Sequence, residues 1–457
     1  MKFTQFIPFL SLASAFVITD EEVFQEIEKS GRHFLDTTQN VLDDALNKAT
    51  EAAKTVGENV YQKIHHAGCD VESWLEGSPY VDDSFEELDD EPHHPPHHGP
   101  PHHKKPHHGK PHHPPHHQKP NMSVYELISK SKYTTKLAKL IDEYDDLVEA
   151  LNGTKANYTV FAPIDSAFEK IPEHGKKPSK EFLKNLLLYH VSDSFYPAGR
   201  VLHSYTIPTL YIPEDLGHAQ RLTVRVSLRG PTINFYSKVV AVNIFGTNGV
   251  IHGVDSILVP PPRVVDIIDL LPGEFSTLEL ALSKTGLLDK MNSTKYPHEG
   301  GTFFAPSNFA FKKLGPKINA FLFSKFGQKY LKALLEYHVV VNQTLYSDAF
   351  YDASSTNSIL TDRPPYFHFD LPTVLGKPLA VDVARYGPFI SIKINGFSRV
   401  TIHDGVAKDG VIQVVSDVLI PPRNSATDEG LWMGEEMSIE EFKERLESFL
   451  DEGNQEL

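Results

Sequence analysis

From Asp20 to Gly77 the apolar positions Phe34, Val41, Ala45, Ala49, Ala52, Val56, Val60 and Ile64 recur at intervals of three, four or seven. This spacing predicts an amphipathic helical region whose stripe needs a partner, either a second copy of itself or a neighbouring domain. The pattern then collapses into EPHHPPHHGPPHHKKPHHGKPHHPPHHQKP between Glu91 and Pro120. Recurrent proline blocks helix and sheet alike there, so residues 82–120 are predicted to form an extended, disordered linker. Beyond it, short strand-like and helix-like runs alternate. Thr159–Ala162 reads as a buried strand stopped by Pro163. Asp165 reads as the N-cap of the helix that follows, with Asn308 in the corresponding place later in the chain. Phe182, Leu183, Leu186, Leu187 and Tyr189 keep helical spacing into His190, and Phe321–His338 shows a comparable run. Ile257–Pro261 and Val418–Pro422 read as apolar strands ended by proline pairs that cannot donate to a ladder. Gly246–Gly249 reads as a turn, and Val250, Ile251, Val254 and Ile257 make the surroundings of His252 look like a core strand. Finally, Ser438–Glu441 opens a helix in the capping-box pattern, with Ile439, Phe442, Leu446, Phe449 and Leu450 on one face. Alone it is too short to be stable in water, so it is expected to dock on a domain.

Several of these runs occur twice. NYTVFAPIDSAF at Asn157–Phe168 returns as GGTFFAPSNFAF at Gly300–Phe311, and LLLYHV around Tyr189 and His190 returns as LLEYHV around Tyr337 and His338. GVIHGVDSILVPP from Gly249 returns as GVIQVVSDVLIPP from Gly410. The order is kept while the connections lengthen, and a repeat this long is a tandem domain, since solenoid repeats run about 20–50 residues. The three blocks together resemble the fasciclin family, in which a TVFAPxxxAF block, a Tyr-His block and an NGVIHxVDxVLxPP block follow one another within a domain. The resemblance spans 121–262 and 263–423. In the second copy Gln413 replaces His252, and Ser416-Asp417 reverses Asp255-Ser256. It implies an α+β fold: two tandem fasciclin-like β-wedge domains with packed helices, here preceded by the helical arm and the linker and followed by an acidic tail over 424–457. It also implies adhesive contacts at Tyr189, His190, Tyr337 and His338. A histidine that ends a Leu-rich helical run is, on its own residues, a core or turn group.

Charge and processing signals add to this frame. The net charge is −16, and 20–91 alone carries 20 acidic against 5 basic residues, leaving the repeated body near neutral. An acidic chain of this kind gives no electrostatic support for nucleic-acid binding. MKFTQFIPFLSLASA has the lysine, apolar run and small-x-small ending of a signal peptide cleaved after Ala15. No later stretch approaches the roughly 20 apolar residues that span a bilayer. Sequons at Asn121, Asn152, Asn157, Asn292 and Asn342 fit passage through the secretory pathway, with the vacuole favoured over the cell surface as destination. The single cysteine, Cys69, excludes an internal disulfide framework.

Candidate chemistry is sparse. No GxSxG elbow, HExxH helix, Walker loop or dinucleotide fingerprint is present, so the expectation is a non-enzymatic protein needing no cofactor. Half of the 24 histidines stand in six pairs: His93-His94, His97-His98, His102-His103, His107-His108, His112-His113 and His116-His117. Neutral imidazoles on a flexible chain are candidate ligands for labile zinc, copper or nickel. With a reference pKa near 6.5, the tract is also a candidate acid-responsive tether. The expected function is adhesion to a protein or glycan ligand through the tandem domains. Metal binding or acid response in a vacuolar lumen is the alternative, and self-association through the N-terminal helical region a further candidate contact.

Overall fold

The computed structural model describes residues 74–75, 120–154, 156–171, 178–227, 230–292, 298–353, 366–386, 389–422 and 437–450. The signal sequence, nearly all of the helical arm, the His/Pro linker and, in the acidic tail, 424–436 and 451–457 lie outside the described residues.

The repeat is visible as two seven-stranded sheets of the same plan. The first unit runs α1 (Val124–Lys130), α2 (Thr135–Ile141), α3 (Asp145–Asn152), β1 (Tyr158–Pro163), α4 (Asp165–Glu169), α5 (Lys180–Tyr189), β2 (Val191–Ser192), α6 (Ala198–Leu202) and β3 (Thr206–Pro208). It closes with β4 (Arg221–Ser227), β5 (Gly230–Ile233), β6 (Ser237–Gly246) and β7 (Gly249–Val254), in sheet order β2-β1-β7-β6-β5-β4-β3. The second unit has α7 (Val264–Leu270), α8 (Pro272–Thr285), α9 (Leu287–Asn292), β8 (Gly301–Pro306), α10 (Asn308–Lys313), α11 (Gly315–Leu322), α12 (Gln328–Glu336) and β9 (Val339–Val341). A small pair, β10 (Gln343–Leu345) and β11 (Phe350–Asp352), precedes β12 (Tyr366–Pro372), β13 (Pro378–Tyr386), β14 (Phe389–Ile394), β15 (Ser398–Ala407) and β16 (Gly410–Val415). The order there is β12-β13-β14-β15-β16-β8-β9.

The repeated TVFAP and GVI blocks are the one parallel pair in each sheet, β1 with β7 and β8 with β16. Both faces of this pair are covered, which is why the blocks are continuously apolar rather than alternating. Along β1, Val160 and Ala162 join the core under the N-terminal helices, while Phe161 joins the opposite core with Tyr189, Ile207 and Leu258. A Cβ on Gly249 would lie 2.3 Å from the Tyr158 carbonyl oxygen, and one on Gly410 would lie 2.5 Å from that of Gly301. The glycine that opens each late block is therefore required by the close approach of its parallel neighbour.

Helix ends are held by side chains, some of them not the ones the spacing suggested. Ser123 and Glu126 form a reciprocal capping box on α1. Asp165 does not cap its own helix; its carboxylate accepts from the Lys136 backbone N–H at 2.8 Å and from the Thr135 hydroxyl at 2.7 Å, capping α2 instead. Asn308 likewise reaches the start of α8, accepting from Thr277 N at 2.8 Å, while Ser307 caps α10. Other differences from the sequence reading have equally local causes. The run Phe321–His338 is broken between α11 and α12, where a Cβ on Gly327 would meet the Phe321 carbonyl oxygen at 1.9 Å. The late strands end at Val254 and Val415; Ile257–Pro261 and Val418–Pro422 are irregular segments whose backbone is bound by side chains, as described below.

Two outlying pieces dock on the units. Phe442 and Leu446 of α13 (Ile439–Leu450) are fully buried in the second unit's helical core. Trp74 is buried against α1, donates its indole N–H to Leu127 O at 3.2 Å, and accepts at its carbonyl from Ser131 Oγ at 2.7 Å. Its ring approaches the space that a side chain at Gly253 would occupy. No helix among the described residues is long and apolar enough to cross a membrane.

Candidate functional site

Tyr189, His190, Tyr337 and His338 are at most 1% exposed. Each histidine ends its Leu-rich helix and binds in two directions. His190 Nδ1 donates to Leu186 O at 2.7 Å, and its Nε2 accepts from the Leu258 backbone N–H at 2.9 Å. His338 repeats both bonds, to Leu334 O at 2.8 Å and from Leu419 N at 2.9 Å. The irregular segment before each proline pair is thus fastened by an imidazole in place of a strand neighbour. Burial drives both pKa values down to about 4, so each ring is neutral at physiological pH. The tyrosines anchor a second point. Tyr189 accepts from Asn234 Nδ2 at 2.9 Å and donates to Arg221 O at 3.1 Å; Tyr337 accepts from Asn395 Nδ2 at 3.0 Å. Burial raises both phenols, Tyr337 to about 12. These side chains are shaped to hold segments together, and a partner cannot touch them without opening the core.

The third landmark explains the exchange of His252 for Gln413. His252 Nε2 donates to Tyr196 O at 2.8 Å, and its Nδ1 faces the backbone N–H of Asn243 at 3.4 Å. Gln413 Nε2 donates to Leu345 O at 2.8 Å, and its Oε1 accepts from the backbone N–H of Asp404 at 3.1 Å. Asn243 and Asp404 have φ of 60° and 58° and occupy matching bulges of β6 and β15. One donor and one acceptor to the backbone are all the position requires, and an amide supplies both. Burial lowers the His252 pKa to about 4.

The units meet through a buried polar contact that the sequence reading did not find. Arg221 on β4 is 3% exposed and donates from Nη1 to the Tyr351 hydroxyl at 2.8 Å and from Nε to the Thr206 hydroxyl at 2.5 Å. Asp348 lies 3.7 Å from Arg221 Nη2 and accepts from Thr206 N at 2.7 Å, Tyr205 N at 3.1 Å and the Thr206 hydroxyl. Nearby, Gln220 Nε2 donates to Ala407 O at 2.7 Å, Arg225 Nη2 donates to His403 O at 2.7 Å, and His218 stacks on Tyr351 at 3.6 Å. Asp215 closes one edge, accepting from Arg263 at 2.9 Å with Lys408 at 3.5 Å. These bonds join the first unit to the second across a buried polar seam.

Asn121, Asn152, Asn157 and Asn342 are exposed, while the side chain of Asn292 lies outside the described residues. Three sequon hydroxyls belong to the fold itself: Ser123 caps α1, Thr159 donates to Ser194 O, and Thr344 accepts from Gly301 N. Among the described residues no group of three or more His, Cys, Asp or Glu is placed to hold a metal ion. His93–His117, the metal candidates, lie outside them.

The fasciclin domain family model matches residues 132–260 and 273–421. Aurofusarin biosynthesis cluster protein S of Gibberella zeae is 28% identical over 73% of this chain and 87% of its own length. A fasciclin-like arabinogalactan protein of Arthroderma benhamiae is 25% identical over 66% of this chain and 68% of its own. Transforming growth factor-beta-induced protein ig-h3 of Sus scrofa is 26% identical, with the match spanning 41% of that protein. A solved FAS1 domain pair from the insect cell adhesion molecule fasciclin I matches at 18% identity, covering 63% of this chain and 96% of that one with a TM-score of 0.31. With both repeats matched in full order, the chain belongs to the fasciclin family.

Proposed function

We propose that this chain is a glycosylated, non-enzymatic interaction protein whose paired fasciclin domains present one rigid adhesive body to a protein or glycan ligand. The observation that supports this reading is the joint between the units, where buried Arg221 donates to Tyr351 and lies beside Asp348. A fixed pair binds an extended ligand without first ordering a hinge. Fasciclin-domain relatives are adhesion and interaction proteins, in keeping with this reading. Tyr189, His190, Tyr337 and His338 enter it as positioning residues that support the surface from within. The leader-like MKFTQFIPFLSLASA and the exposed sequons support a secretory route that ends in a vacuole or at the cell surface.

The six His-His pairs favour a second reading, labile metal capture and acid response by the tract in a vacuole. Fractionation of the endogenously tagged protein, with a glycosidase shift, separates the two. The adhesive reading expects glycosylated protein in the wall or medium. Recovery in the vacuolar lumen, with zinc binding abolished by deleting 93–117 and a hydrodynamic radius that shrinks between pH 7.5 and pH 5, overturns it in favour of the second.

A further inference from the structure

Beside the polar joint lies an apolar pocket of about 180 Å³, walled on one side by the first unit and on the other by α7, α8, β15 and β16 of the second. Phe235, Tyr236, Leu270, Ile402 and Val414 supply apolar wall, and Glu274 stands among them. Among the described residues the Glu274 carboxylate has no hydrogen-bond or ion-pair partner, and burial raises its pKa. An acid in a mainly apolar wall, where the Asn234 side chain is already bonded to Tyr189 and Thr223, is the arrangement of a ligand site, in which few polar groups orient an apolar guest.

The turn that carries Phe235 points the same way. Asn234 and Phe235 have φ of 50° and 67°, and the corresponding turn of the second unit is Asn395-Gly396 with φ of 51° and 78°. Asn-Gly is the sequence such a hairpin prefers, and a side chain with left-handed backbone is strained. The first unit holds a phenyl ring where its own duplicate uses glycine, and that ring lines the pocket.

We propose that this inter-unit pocket binds a compact, largely apolar molecule of one or two fused rings that donates one hydrogen bond to Glu274. The size matches: a protein cavity of about 150 Å³ takes up benzene. The inference goes beyond the adhesive role and does not depend on it. The test titrates 2-naphthol, with naphthalene as the control lacking the hydroxyl, into the full chain by equilibrium dialysis. Saturable one-to-one binding of 2-naphthol is expected, with naphthalene about tenfold weaker.

Gly273 borders the pocket, and a Cβ there would meet nothing within 4 Å. Gly273→Phe is therefore expected to fold normally and to lower affinity at least tenfold. Phe235→Gly relieves the strained turn and is expected to lose affinity with no loss of melting temperature. The absence of saturable binding, or binding indifferent to Gly273→Phe and Phe235→Gly, overturns the proposal. So does binding that appears only after removal of residues 1–73, which leaves Trp74 in place and would make the chain's own N-terminal segment the occupant.

Discussion

Lowering the pH from 7.5 to 5 is expected to destabilise the first unit by about 6 kcal/mol and the second by about 2 kcal/mol. The first contains His190, His218 and His252 and the second His338, each largely buried and held near pKa 4. The sign follows from proton uptake. An unfolded histidine titrates near 6.5, so below that value the unfolded chain binds protons that the native rings refuse. The stabilisation is fully present above pH 6.5 and is lost as pH falls towards 4. At pH 5 each ring forfeits about 2 kcal/mol, a large part of the roughly 5–15 kcal/mol by which a domain is stable. Protonation at Nε2 of His190 or His338 would also set a donor against the N–H of Leu258 or Leu419.

The duplicate supplies the control. His252→Gln copies the residue that does the same backbone work at Gln413, so it should leave stability at pH 7.5 within about 1 kcal/mol and gain about 2 kcal/mol over the parent at pH 5. Hydrogen exchange in the two central strands, Tyr158–Pro163 and Gly301–Pro306, reads the units separately. Equal loss of protection in both units, or a His252→Gln variant as acid-sensitive as its parent, contradicts the assignment.

Arg221→Ala is expected to destabilise the pair by about 3 kcal/mol, because it leaves the Asp348 carboxylate buried without its countercharge, held only by the donors of Tyr205 and Thr206. It also removes the donor to Tyr351, so the units should separate as well as weaken. Arg221→Ala with Asp348→Ala removes both charges and should recover a substantial part of the loss in a double-mutant cycle. Calorimetry is expected to resolve two transitions in the single variant where the parent shows strongly overlapping ones. If Arg221→Ala melts as the parent does, and small-angle scattering shows an unchanged envelope, the joint does not lock the units.

The contrast between these sites shows what the chain discloses before it folds. The repeat, the parallel pair and the helices ending at His190 and His338 are local patterns, and periodicity exposes them. The partner of His190 is the N–H of Leu258, 68 positions away, and Arg221 meets Tyr351 across 130. Nothing in local spacing marks either. Asp165 sits where an N-cap belongs, yet it serves α2, because the α1–α2 corner brings the start of that helix to its carboxylate. Trp74 is not one of the stripe positions of the arm, and its place is set by Gly253, whose missing side chain leaves room for the indole. The expectation of adhesive contacts at Tyr189, His190, Tyr337 and His338 came from resemblance, whereas the Leu-rich run before each histidine pointed to the core.

The adhesive role stands or falls most directly on attachment of purified wall and matrix material to the immobilised, glycosylated full chain, compared with the same chain lacking 93–117. Saturable binding that survives both chelation with EDTA and loss of the tract is the predicted result. No attachment, or attachment lost with the tract or the chelator, would contradict the account.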